Sequence, residues 1–238
     1  MQLIQANLFK FLNRVERPDW VKSGRKGESY ITNAEAHVNS LYGMKSDISD
    51  FYGSVTYRRI RHTFFNGFRM SPDIAEILTI LVTHYRRIPT GAAASMLMAY
   101  FAYEEMFQKI HEISEKNDIV FTLYVDDLSF SANTPIGMDF FYQVRDIVQS
   151  YGFVLKWKKT KFYGFRKYKE FTGVGISAEG RLVVPNRHRK EIIDGYRESL
   201  SDCYDENKIQ SLRGKVNAAR QIEPQIFPQI YDYVQDAG

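Results

Sequence analysis

Two aspartates stand side by side at Asp126-Asp127, in the middle of residues 119–132, where apolar and polar residues alternate. Alternation with period two is the pattern of a half-buried strand, and acids at its midpoint fall on the turn of a β-hairpin. Adjacent carboxylates repel, so a fold that holds them together normally needs a cation. A pair of magnesium ions about 4 Å apart, held by carboxylates from more than one strand, activates an attacking hydroxyl and stabilises a leaving phosphate. Asp47, at the end of an earlier predicted strand, is the natural third ligand. An isolated Asp-Asp pair is more often only a polar turn, so its company in the chain has to decide.

The elements that would position these acids follow from periodicity and punctuation. The first forty residues read as helix and loop. From Tyr42 the pattern changes, and Met44, Ile48 and Phe51 with acids between them predict a short strand running into Asp47 and Asp50. Ser71 as N-cap and Pro72 in the first turn open a helix with Ile74, Ile77, Leu78, Leu81 and Tyr85 on one face, ending near Arg87. After Pro89-Thr90-Gly91, the run from residue 92 to about residue 113 is rich in Ala, Met, Leu and Glu and predicts one long helix. Beyond the hairpin, Phe140, Phe141, Val144, Ile147, Val148 and Tyr151 stand at helical spacing, closed by Gly152. Strands are expected at residues 153–156 and 171–176, and helices alone after Pro185.

The 238 residues are 44% hydrophobic and 25% charged, enough to bury a core and stay soluble as one or two domains. No run approaches the roughly 18 apolar residues of a spanning helix. The start, Met1-Gln2-Leu3-Ile4-Gln5-Ala6-Asn7, lacks the basic-then-apolar order of a signal peptide. No membrane partner is therefore expected, and the chain is expected in the cytoplasm. The lone Cys203 excludes an internal disulfide and a cysteine-rich zinc site. Net charge is +4, yet residues 151–190 carry eleven Lys and Arg against Glu170 and Glu179, which leaves the remainder net negative. Trp157, Phe162, Tyr163, Phe165 and Tyr168 interleave with those cations. Cations for phosphates and rings for stacking make a nucleic-acid track. A solvated basic face is the other reading of the same composition.

Tyr124-Val125-Asp126-Asp127 resembles the tyrosine-x-Asp-Asp signature of reverse transcriptases, and other segments of that family stand in the family's order. Lys45-Ser46-Asp47-Ile48-Ser49-Asp50-Phe51-Tyr52 resembles its first catalytic segment. Ile88-Pro89-Thr90-Gly91-Ala92-Ala93-Ala94-Ser95 is similar to the Leu-Pro-x-Gly segment under template and incoming nucleotide, and Lys158-Lys159-Thr160 to the lysine segment near the triphosphate. Phe171-Thr172-Gly173-Val174 resembles the primer-grip segment, and Leu212-Arg213-Gly214-Lys215 with Ile222-Glu223-Pro224 the thumb helix. Asn33-Ala34-Glu35-Ala36-His37 matches the Asn-Ala-x-x-His element of the retron group, and Phe171-Thr172-Gly173 stands where that group carries Val-Thr-Gly. By itself His37 is more often a core or helix-face histidine.

The resemblance implies an α+β fold: a right-hand polymerase palm, its antiparallel sheet backed by helices, with a small C-terminal helical thumb. It implies partial fingers over residues 1–43, a palm with the catalytic site over 44–185 and a helical thumb over 186–238. Asp47, Asp126 and Asp127 become the catalytic, metal-binding residues, holding two Mg2+ ions, with Mn2+ as the alternative ion. Asp50, Phe51, Tyr52, Thr90, Gly91 and Lys159 become nucleotide-binding residues, with the Tyr52 ring excluding a 2′-hydroxyl. Asn33, His37, Thr172 and Gly173 become RNA-binding residues.

The implied activity is RNA-directed DNA polymerisation of retron type in antiphage defence. A structured noncoding RNA would supply template and primer, an RNA–DNA hybrid would form, deoxynucleoside triphosphates would be consumed, and an effector protein would be a partner. Another bacterial reverse transcriptase, from a group II intron or a defence system, and a catalytically silent RNA-binding scaffold are the competing readings. Gly53, Ala93 and Lys156 depart from the family pattern, and the chain begins after the fingers hairpin whose basic residues contact the triphosphate in relatives.

Overall fold

Cross-strand register decides which side chains share a face of a sheet, and here it separates polar from apolar. The computed structural model describes residues 2–91, 94–201 and 205–236. Strand β1 (Tyr42–Asp47) lies between β3 (Asp127–Ala132) and β4 (Lys161–Tyr163), and β2 (Val120–Tyr124) completes a four-stranded antiparallel sheet of order β2-β3-β1-β4. The pairs Phe121 with Phe130 and Leu123 with Leu128 lie on one face, joined by Met44 opposite Phe130. The pairs Tyr124 with Asp127, Thr122 with Ser129 and Asp47 with Asp127 lie on the other. Period-two alternation thus gathers the acids on the polar face.

The apolar face is covered by helices. Helix α1 (Gln2–Leu12) and α2 (Tyr30–Glu35) precede the sheet, and α3 (Phe51–Ser54), α4 (Tyr57–His62), a π-helical turn at Thr63–Gly67 and α5 (Pro72–Val82) follow β1. Next come α6 (Ser95–Ala102) and α7 (Glu104–Lys116), and α8 (Met138–Ser150) follows the hairpin. The α8 residues Phe140, Phe141, Val144 and Val148 are buried at the expected spacing, and Gly152 at φ +84° ends the helical path. They join Phe107, Ile110 and Phe130 in the main core. A three-stranded sheet of β5 (Lys169–Phe171), β6 (Val174–Ile176) and β7 (Leu182–Val183) follows. The C-terminal helices α9 (Asn186–Ser201), α10 (Glu206–Ile222) and α11 (Pro228–Asp236) close over their own cluster of Ile192, Leu212, Val216, Ala219, Ile230 and Val234. No helix among the described residues is long and apolar enough to cross a membrane.

Several expected elements differ. The long helix is two, broken at Tyr103, where the Arg59 guanidinium donates to the Ala102 carbonyl at 2.5 Å. Its expected start at Ala92 and Ala93 lies outside the described residues. Helix α5 ends at Val82 because Tyr85 and Arg86 take positive φ and fold His84 back onto Arg87. Its buried face is Ala75, Thr79 and Val82, while Ile74, Ile77 and Tyr85 are exposed. The strand expected at 153–156 is a single bridge, Ile48 to Leu155. The strand expected at 171–176 is a hairpin instead, turning at Thr172-Gly173. Strands β4 and β7 are short and carry no clear alternation.

The polar face of the main sheet is bolted to the turn after α2 by a histidine. His37 is fully buried, with Nδ1 2.7 Å from Ser131 Oγ and Nε2 2.8 Å from Thr122 Oγ1. Its ring lies 4.5 Å from that of Phe171. Burial, with Lys169 and Lys22 nearby, lowers its pKa to about 3, so the ring is neutral, one nitrogen donating and the other accepting. The unfolded chain then binds a proton that the folded chain refuses between pH 6.5 and about 3, so acid destabilises the fold across that window. Urea unfolding at a series of pH values should show His37 contributing a loss of about 1.4 kcal/mol per pH unit below 6.5, absent in His37→Gln. An identical slope in the variant would show that His37 is not the buried neutral group.

Candidate active site

At the C-terminal end of β1, Asp47 sits opposite Asp127, the first residue of β3, with Val125 and Asp126 forming the turn between. The backbone locks this corner: Ile48 N–H donates to Asp126 O (3.1 Å) and Lys156 N–H to Asp47 O (2.8 Å). A cleft of about 480 Å³ opens over it, walled by Asp47, Asp127, Lys159, Lys161, Thr172 and Arg187 among others.

Burial first, then the Asp47 charge, pushes the Asp126 carboxyl up. Burial first, then Asp126 and Asp47, pushes Asp127 up to about 6. Both shifts mark carboxylates short of a counter-charge. Asp47 is buried and ion-paired to two lysines, Lys156 at Oδ1 and Lys159 at Oδ2 (3.0 Å). Its Oδ1 receives no hydrogen bond among the described residues, only the charge of Lys156 beside it. Three oxygen-donor side chains, two of them raised by burial and by neighbouring carboxylates, and a buried Asp47 oxygen without a hydrogen bond suit a hard divalent cation. Among the described residues, however, no three His, Cys, Asp or Glu side chains are already gathered as a metal cluster. A cation would therefore compete with Lys156 and Lys159 for Asp47.

The other expected residues divide into those at the cleft and those away from it. Lys159, Thr172 and Gly173 line the cleft. Tyr52 is half-buried, its hydroxyl raised to about 12 by burial and by the nearby Asp126 charge. Phe51 is inside the core, ringed by Tyr103, Phe107 and Phe153, so it seats Tyr52 from behind and offers no surface to a nucleotide. Asp50 is exposed at φ +43°, and its carboxylate lies over Gly53. Thr90 and Gly91 are exposed, away from the cleft walls, on the loop between α5 and α6.

Asn33 and His37 are both fully buried, which corrects the expectation that they touch RNA. Asn33 Nδ2 donates to Thr172 Oγ1 (3.3 Å), and His37 joins the turn after α2 to the sheet. Sequence reasoning missed the pairing of Lys156 with Asp47, although Lys156 had stood out as a departure from the pattern. It also missed Glu170, which takes Arg187 at 2.9 Å and Lys45 at 3.7 Å and ties α9 to the cleft wall. Neither residue carries a motif.

The charge crowding makes a prediction for stability. Because the Asp127 pKa is raised on folding, its neutral form is favoured in the folded state, and that stability is lost as pH rises through about 6. At neutral pH without divalent ions, Asp127→Asn should raise stability by about 2 kcal/mol after allowance for solvent screening. The gain should fade below pH 6, and the Mg2+-induced rise in melting temperature should be smaller in the variant. Thermal melts with and without Mg2+ measure both, and a destabilised variant at pH 7.5 would contradict the assignment.

Comparison with known proteins agrees with this geometry. The family described as reverse transcriptase (RNA-dependent DNA polymerase) matches residues 2–177. Retron Ec86 reverse transcriptase of Escherichia coli is 24% identical over 213 residues, covering 88% of this chain and 64% of that protein. Retron Se72 reverse transcriptase of Salmonella heidelberg is 24% identical over 137 residues, covering 57% of this chain and 36% of that protein. The chain thus spans less than two thirds of the length of either relative. Among solved structures, apo telomerase from Candida tropicalis superposes with a TM-score of 0.58 at 12% identity, over 99% of this chain and 50% of that one. A foamy viral protease-reverse transcriptase in complex with double-stranded DNA gives 0.55 at 16% identity, over 97% and 36%. These likenesses identify the fold as the polymerase palm, an antiparallel sheet backed by helices. With three quarters of its length matched, the chain belongs to the reverse transcriptase family.

Proposed function

We propose that this chain is an RNA-directed DNA polymerase of retron type, working by two-metal nucleotidyl transfer. The observation that carries the reading is the register that sets Asp47 opposite Asp127, with Asp126 on the adjoining turn, inside a lysine-lined cleft. Two Mg2+ ions held by Asp47, Asp126 and Asp127 would supply the charge that activates a primer hydroxyl and stabilises leaving pyrophosphate. Lys156 and Lys159 hold the Asp47 carboxylate until then, and Lys159 is then free to meet the triphosphate. Tyr52, held from behind by Phe51, presents a ring that excludes a 2′-hydroxyl. Lys158, Lys161 and Arg187 give the cleft wall the positive charge that a nucleic-acid backbone needs.

On this reading residues 1–43 are partial fingers, 44–185 the palm and 186–238 a thumb. The substrates are a structured noncoding RNA serving as template and primer, its RNA–DNA hybrid and deoxynucleoside triphosphates. An effector protein, a cytoplasmic setting and a role in antiphage defence complete the proposal by analogy with retrons. A silent RNA-binding scaffold draws support from the two lysines that already occupy Asp47.

Primer extension on an RNA template with Mg2+ separates the two. The polymerase reading expects extension by the wild type and a fall of about a thousandfold or more in Asp126→Asn, with RNA affinity retained. Extension that survives this change would refute the metal assignment, and a folded wild type that extends nothing would favour the scaffold. In the same assay Tyr52→Val should lower discrimination against ribonucleotides by about tenfold or more. Unchanged discrimination would remove Tyr52 from the sugar gate.

A further inference from the structure

Among the described residues, two β-branched side chains occupy the left-handed region of backbone space, Val125 at φ +61° and Thr172 at φ +46°. A branched Cβ is crowded there, and such residues persist only where their surroundings hold them. Both occupy the first central position of a two-residue hairpin turn, where glycine, asparagine or aspartate is the usual choice. One turn carries Asp126 and the other is Thr172-Gly173. Tyr124 and Asp127 from the first hairpin and Thr172 and Gly173 from the second line the same cleft.

One short stretch of chain meets both turns. Val125 N–H donates to Ser23 Oγ at 3.1 Å, and Ser23 is buried. Its segment is pinned along β2, with Leu123 N–H donating to Trp20 O (2.8 Å) and Lys22 N–H to Leu123 O (2.9 Å). The Arg17 guanidinium reaches the carbonyls of Ser23 (3.4 Å) and Gly24 (3.1 Å). Ten residues on, the Asn33 amide donates to Thr172 Oγ1, and the Thr172 hydroxyl donates to Tyr30 O (2.9 Å). Helix α2, which carries Asn33, is fixed by the Ser29–Thr32 capping box and by Ala34 against Phe171, Val174 and Ile176.

We propose that residues 20–33 form a brace between the two turns, in which Ser23 and Asn33 are positioning residues. Each holds a turn in a conformation its own residue resists, and together they set the separation between the catalytic hairpin and the Thr172-Gly173 turn. The opening left between them receives an RNA–DNA hybrid. That occupant rests on the polymerase reading, whereas the brace does not.

Double-mutant cycles test it, because glycine adopts positive φ without help. Ser23→Ala should slow primer extension about tenfold with hybrid affinity unchanged, and Ser23→Thr, which keeps the hydroxyl, should restore the rate. Asn33→Ala should weaken hybrid binding about fivefold, read by fluorescence anisotropy without nucleotide. In Val125→Gly, which keeps the N–H that Ser23 accepts, the Ser23→Ala effect should shrink below about twofold, and in Thr172→Ser, which keeps the hydroxyl but removes the branched Cβ, the Asn33→Ala effect should shrink by about half. Penalties of undiminished size in these relaxed-turn backgrounds would overturn the brace, since the side chains would then act otherwise than through the turns. Urea midpoints follow the same cycles independently of activity. If the wild type extends no primer, the polymerase reading fails, and the brace stands or falls on whether each alanine change shifts the midpoint less in its relaxed-turn background.

Discussion

Carboxylate repulsion across the register of β1 and β3 is the constraint around which the rest of this molecule is arranged. Pairing Asp47 with Asp127 and placing Asp126 on the next turn concentrates negative charge in a partly buried corner. The raised pKa values of Asp126 and Asp127 record the strain of that concentration. Lys156 and Lys159 relieve it at Asp47, and Lys45 contributes from the neighbouring position on β1. On the proposed reading, divalent cations complete this corner when substrate arrives.

Holding the corner rigid requires support from both faces of the sheet. On the apolar side, Phe130 and Leu128 pack into the helical core, and Phe51 fills the space behind Tyr52. On the polar side, hydroxyls of Thr122 and Ser131 would be costly to bury alone, and His37 satisfies both at once. The Asn33–His37 element is therefore part of the scaffold that holds the cleft. The C-terminal helices are joined to the same wall by Arg187 on Glu170, and to the chain before α9 by Glu223, which takes the Val184 N–H and Arg189.

Helix α8 was legible because its periodicity agrees with its burial: Phe140, Phe141, Val144 and Val148 are both spaced for a helix face and buried. The β2–β3 hairpin was legible from its alternation of residue type, although its polar face is buried too, with Thr122, Ser129 and Ser131 inside. Helix α5 misled because its isoleucines do not face the core. Its inward residues are small or polar, Ala75 and Thr79, which pattern reading ranks low. The break at Tyr103 depends on Arg59, a residue from another helix, and so has no local signal. At the candidate site, the approach of Asp47 to Asp127 was legible from motif order, whereas the lysine pairing of Asp47 and the hydrogen bond from Val125 to Ser23 depend on tertiary approach. His37 was read as a contact residue from its element, although the plain reading of a lone histidine as a buried one describes its surroundings.

On the proposed reading Asp47 exchanges its two lysines for metal when substrate binds, and Asp126 and Asp127 join it as ligands. Crystals grown with an RNA–DNA hybrid, a non-hydrolysable deoxynucleoside triphosphate and Mn2+, measured at the manganese absorption edge, test it most directly. Anomalous peaks for two ions among the three carboxylates are expected, with Lys156 and Lys159 withdrawn from Asp47. Lysines still paired with Asp47, and no manganese beside a bound hybrid and nucleotide, would contradict it.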